Sequence, residues 1–395
     1  MKRNLLPLAL LGLGFTGGQL VTLPLGTGVQ VSALDLSVFL VVCAAAIGSG
    51  NKGFIPRLWL PFLAFGVVSV VSVAAFLGSV PTYVIGGGML YILRWLVYVS
   101  LYWAAAGPSW QATAWEGVLA ASGLGMGILG IIQYFLYPDL RNLYYLGWDP
   151  HFGRLFGTLL DPNFTAIILS LTSLWWLSKI EEVKTRGPAI VGTVISLGAL
   201  LLTYSRSGML AFSVGIVVWG ALRGKWKMVI GILAACIMVA VILPHTGEGR
   251  NLFRTTSSIA RVESAGRALA LIAERPIFGH GFNLLRFVNT ERNWIDETTV
   301  PSRAGSVIDT SVLFVAATTG LFGLAAFVWL LVSLFRLGIS GLGNAAVSDR
   351  AAVYVAALSM VIIHSIFTNS LFYPWVMVWM WITTGTLEQS LRRTR

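Results

Sequence analysis

Residues 307–335 read VIDTSVLFVAATTGLFGLAAFVWLLVSLF, and after Asp309 this stretch holds no charged side chain. A helix rises about 1.5 Å per residue and a bilayer core is about 30 Å thick, so about twenty apolar residues suffice to cross it. This stretch is longer than that, and it reads as a transmembrane helix. The chain around it has the same character: 56% of its 395 residues are apolar and 11% are charged, far outside the soluble range.

Outward from this stretch the sequence predicts an all-α membrane protein with about twelve transmembrane helices. The runs lie near 5–25, 31–47, 58–77, 84–106, 112–136, 164–177, 189–204, 208–222, 228–243, 307–335, 351–367 and 372–387. The first follows Lys2 and Arg3 without a small-x-small cleavage site, and it reads as an uncleaved helix rather than a signal peptide. Residues 1–395 are read as a single polytopic membrane domain, with residues 244–306 forming an extracytoplasmic loop that lids an active site.

Charge sets the orientation. With the N-terminus inside, all six lysines (Lys2, Lys52, Lys179, Lys184, Lys225, Lys227) fall in loops on one side. Fifteen basic residues lie inside and eleven, all arginine, lie outside among eleven acids, while Arg94 lies within a span. The net charge of +11 is therefore a positive-inside bias and not a nucleic-acid footprint. Both termini are expected in the cytoplasm. Cys43 and Cys236 fall within spans, and His151, His245, His280 and His364 show no ligand spacing, so neither a disulfide framework nor a metal site is expected.

Two outer loops are long, 137–163 and 244–306. Within the second, Ile259, Val262, Leu269 and Ile272 form an apolar ridge at helical spacing, which predicts an amphipathic helix over 257–274. It can rest on the bilayer or cover a cavity. Arg94 needs a partner at membrane depth, and Glu116 on the next span is a candidate counter-charge. Asp161 and Asn163 suit a helix cap and turn, and Asp309 suits an N-cap.

Four segments stand out in order: GRLFGTLLDPNF (153–164), LTYSRSG (202–208), Arg261 followed by RPIFGHGF (275–282), and Asp309 with Gly320-Leu-Phe-Gly323. Together they resemble the O-antigen ligase and O-antigen polymerase superfamily of bacterial polytopic membrane glycosyltransferases. The resemblance implies that a glycan on undecaprenyl pyrophosphate passes to an acceptor at the outer face of the plasma membrane, by inverting displacement without metal or other cofactor. The implied partners are that donor, a glycan or lipid-linked acceptor and membrane lipid. Arginine suits the diphosphate because its planar fork grips phosphate oxygens in pairs. Arg206 and Arg261 are the first candidates for that role, with Arg267 matching the family's Arg-x-x-x-Leu pattern through Leu271, and with Arg154, Arg275 and Arg303 behind them. Asp309 is the candidate catalytic base. Ligases of the family carry His where Asp309 stands, which favours a polymerase, although His280 is a spatial substitute to examine. Transfer to lipid A-core or to a protein, and small-anion transport, are the alternatives.

Overall fold

The computed structural model describes residues 5–24, 30–49, 54–244, 248–251, 255–294 and 308–394. Fourteen α-helices order the described chain. They are α1 (Leu6–Gly17), α2 (Ala33–Ser49), α3 (Trp59–Ala74), α4 (Thr82–Ala106), α5 (Ala112–Leu136), α6 (Pro162–Ser178) and α7 (Arg186–Leu202). Then follow α8 (Arg206–Arg223), α9 (Trp226–Ile242), α10 (Thr256–Glu274), α11 (Leu285–Glu291), α12 (Ser311–Leu342), α13 (Ser348–Ser365) and α14 (Pro374–Arg393). Apart from α10 and α11, each helix falls on one of the apolar runs, in order. By length and composition α4, α5 and α12 are long and apolar enough to cross a membrane, and several others are apolar but shorter.

The first apolar run departs from a single span. Helix α1 stops at Gly17, the backbone turns at Gly18 with φ 62°, and the chain enters a small antiparallel hairpin of β1 (Thr22–Pro24) and β2 (Gln30–Ser32). Glycine tolerates that φ where other residues resist it, so hydropathy continued where the helix could not.

Among the described residues one large apolar core fills the interior, and a small separate cluster of Leu140, Phe156 and Leu160 lies apart from it. Near the cavity the large core concentrates aromatic rings: Phe65 meets Trp95, Phe282, Phe327 and Phe372 at centroid distances of 5.2–6.1 Å. Buried hydroxyls return to their own helix, as Ser170 does to Ala166 and Thr318 to Phe314. Polar groups remain satisfied in a dry interior this way.

Helix ends opposite the cavity are stitched by charge. Glu388, fully buried, accepts from Tyr102 and pairs with Arg392. Glu116 pairs with Arg350. It is therefore not the partner of Arg94. Arg94 instead grips Asp35 with a fork, Nε to Oδ1 at 2.7 Å and Nη2 to Oδ2 at 2.9 Å, and Tyr98 adds a third bond to Asp35. Asp35 opens α2, far from Arg94 in sequence, so no local pattern pointed to it.

Candidate functional site

The glycine at position 320 breaks α12 with φ 67° and ψ −165°, a conformation open essentially to glycine alone. In a regular helix the N–H of Leu321 would donate to the carbonyl of Ala317. Here Leu321 donates to Pro276 at 2.8 Å, and Ala317 accepts from the backbone of His280 at 2.9 Å. The 275–282 turn thus enters the hydrogen-bond ladder of α12. A Cβ at Gly320 would collide with the carbonyl of Ile277, and one at Gly279 with the backbone of Thr318.

The other marked segments join in the same way. Leu155 donates its N–H to the carbonyl of Leu202 at 2.9 Å, and Arg154 donates Nε to Thr203 at 2.9 Å and Nη2 to Tyr204 at 3.5 Å. Asp161 caps α6, accepting from Asn163 at 2.6 Å and Phe164 at 3.1 Å. Asn163 in turn accepts from Ser205, the N-cap of α8, at 2.8 Å. Arg206 begins α8 and donates to Ser258 of α10 at 3.1 Å. Ser264 of α10 accepts from the backbone N–H of Asp309 at 3.2 Å. Four segments spread over 170 residues therefore form one hydrogen-bonded frame.

The frame borders a cavity of about 1540 Å³, larger than the pockets that bury drug-sized ligands. Arg154, Arg261, Arg267 and Asp309 line it, with Asp149, His151 and Asp161. Arg206 is not part of its wall, but it lies close enough for its charge to act on Arg261. Arg275 sits elsewhere, its guanidinium 4.6 Å from the Phe76 ring. Arg303 lies outside the described residues. His280 is buried, and its Nε2 donates to the carbonyl of Leu271 at 2.9 Å; it does not line the cavity.

Arg154 is almost fully buried and holds the turn before Arg206, so it positions that turn as well as facing the cavity. Arg261 is tethered by Nε to the carbonyl of Phe367 at 3.0 Å. Burial draws its pKa below arginine's ordinary value, Asp309 and Asp161 oppose that, and Arg206 reinforces it. A partly desolvated guanidinium with a second positive charge acting on it makes the local potential favourable to an anion.

Asp309 does not cap α12. Thr310 occupies the N-cap position without a side-chain cap bond, and Asp309 precedes it with its carboxylate at the cavity. Burial and the Asp161 charge push its pKa up, against the pull of Arg261. A carboxylate raised in this way is a stronger proton acceptor than a solvated one.

Sequence reasoning missed Asp149. The Trp148-Asp149-Pro150-His151 segment looked like an ordinary loop, but folding brings one ligand atom each of Asp149, His151 and Asp161 within 4.8 Å of one another. Desolvation, then the Asp161 and Asp309 carboxylates, push Asp149 up to about 6. Two oxygens and an imidazole nitrogen are also a set that can hold a divalent cation. Such groups can equally hydrogen-bond sugar hydroxyls. Only the folded path of the loop reveals this cluster.

Residues 191–328 match the family described as O-antigen ligase. This match, over about a third of the chain, supports a relationship to the O-antigen ligase and polymerase superfamily, and the apolar helices agree with a membrane protein. It spans three of the four marked segments, leaving out the first. No curated protein matches the chain.

Proposed function

We propose that this protein polymerises a glycan carried on undecaprenyl pyrophosphate at the outer face of the bacterial plasma membrane. In this reading twelve helices span the bilayer with both termini in the cytoplasm, and the 244–306 loop lids the active site. The acceptor hydroxyl attacks the anomeric carbon, the C1–O bond to the diphosphate breaks, and the diphosphate leaves with the bonding pair. The hydroxyl proton passes to Asp309. Arg261, with the charge of Arg206 nearby, takes up the charge that develops on the leaving diphosphate, and Arg267 and Arg154 line the same cavity. Preorganised donors of this kind act strongly in a water-poor site.

The observation that carries the reading is the meeting of Arg261 and Asp309 in one cavity, framed by the four segments. The structural use of His280 favours Asp309 as the proton acceptor, and with it a polymerase over a ligase with histidine at this position. Arg275 drops out of the diphosphate set because it lies against Phe76. The cellular test is the surface polysaccharide. Arg206→Ala and Arg261→Ala should abolish it while the protein still accumulates in the membrane; normal glycan from both variants would contradict the assignment. Acceptor assays separate polymerisation from transfer to lipid A-core or protein. Anion flux in proteoliposomes without lipid-linked sugar would favour a transporter instead.

A further inference from the structure

Helix α10 runs parallel to the start of α12, because Ser264 lies beside Asp309 and Pro276 beside Leu321. Both chains advance twelve residues between these two contacts. The helix therefore descends alongside a membrane-spanning element and does not lie flat above it. Its depth can be gauged from α12. Gly320 stands sixteen residues before the exposed Arg336, about 24 Å by helical rise. That is less than the roughly 30 Å of hydrocarbon, so with Arg336 at the opposite boundary the 276–280 turn lies several ångströms inside the apolar layer.

The surface of this segment agrees. Ile259, Val262 and Leu269 of α10 are 57%, 73% and 58% exposed, and Ile277 and Phe278 continue the strip at the turn. Phe278 meets Phe322 at 5.6 Å, joining the strip to the exposed apolar face of α12. The opposite side of α10 buries Ala268 and Leu271, while Arg261, Ser264 and Arg267 line the cavity. The irregular backbone at the turn is satisfied by α12, which is the condition for a non-helical segment at membrane depth.

We propose that the end of α10 and the 276–278 turn form a wedge inserted into the leaflet on the cavity side, with acyl chains covering Ile277 and Phe278 and the exposed Leu269 at the headgroup boundary. The wedge holds Arg267 near the level of the lipid headgroups, with Arg261 further out. This inference rests on packing and exposure and stands whether or not the proposed reaction is correct.

Single cysteines at Ile259, Leu269, Ile277, Phe322 and Glu263, in full-length protein with Cys43 and Cys236 replaced by alanine, carry nitroxide labels in phosphatidylethanolamine–phosphatidylglycerol nanodiscs. Relaxation by oxygen should exceed that by a water-soluble nickel chelate at Ile277 and Phe322, which lie at the same depth. The labels at Ile259 and Glu263 should show the reverse, with Leu269 between the two sets. Nickel accessibility at Ile277 equal to that at Glu263 would overturn the wedge. A bimane label at the same cysteines gives a second reading: doxyl-lipid quenching of at least twofold at Ile277 supports insertion, and none there contradicts it.

Discussion

The backbone N–H of Leu321 donates to the carbonyl of Pro276 at 2.8 Å, bypassing Ala317, its regular helical partner. Two chain segments 45 residues apart thereby share one hydrogen-bond ladder, and the exchange depends on the absence of side chains at Gly279 and Gly320.

Gly320→Ala should therefore be severely destabilising. The added methyl meets the carbonyl of Ile277 in a backbone region that disfavours alanine. Gly279→Ala meets Thr318 in the same manner. Thermal unfolding of detergent-solubilised protein should show a marked loss for both, whereas Gly231→Ala, where the added atom meets open space, should differ little.

The Arg94–Asp35 pair has side chains only 25% and 14% exposed. Removing one partner strands the other charge, at a cost of about 3 kcal/mol or more. Arg94→Ala and Asp35→Ala should each lower the unfolding temperature, and the double variant should be less harmful than the sum of the two. Full additivity in this cycle would show that the two charges are not coupled.

These features differ in how far the sequence disclosed them. Hydropathy located the helices because the 3.6-residue period and long apolar runs are local properties. The α10 ridge was legible for the same reason, although Ile272 turned inward with Leu271. Pairing across the fold was not legible. Asp35 rather than Glu116 met Arg94, and Asp149 joined Asp161, because side-chain partners depend on how helices pack and loops return. Of the candidate arginines, Arg154, Arg261 and Arg267 reach the cavity, Arg206 acts on Arg261 by its charge from outside the lining, and Arg275 turns to Phe76. Sequence spacing places a guanidinium on a segment but does not aim it.

Asp149 gives a pH signature. Its pKa is pushed up to about 6, above its unfolded value near 4. Below pH 6 it is protonated in the folded protein, and above pH 6 it adds a negative charge beside the proposed diphosphate site. The donor KM should rise as pH increases through about 6, and Asp149→Asn should flatten that rise. In stability the sign is the same: the folded state holds this proton more tightly, so this group's contribution falls as pH climbs from about 4 to 6. A donor KM inflection that persists unchanged in Asp149→Asn would assign it to another group.

Arg154→Lys tests whether the carbonyl clamp positions Arg206. Lysine keeps the charge but lacks the fork that reaches both Thr203 and Tyr204. Turnover should fall by about tenfold or more, as one charge-assisted hydrogen bond at about 1.5–3 kcal/mol implies, while the protein remains folded. An unchanged turnover would reduce Arg154 to a charge without a positioning role.

The most direct measurement is glycan transfer by purified protein in nanodiscs, with a lipid-diphosphate-linked repeat unit as donor and the same unit as acceptor. Wild-type protein should lengthen the glycan and release lipid diphosphate. Arg261→Ala and Asp309→Asn should each lose about 100-fold or more in rate, the scale expected for removing a charge stabiliser or a base, while retaining the wild-type elution profile. Transfer at the wild-type rate by both folded variants would contradict the account.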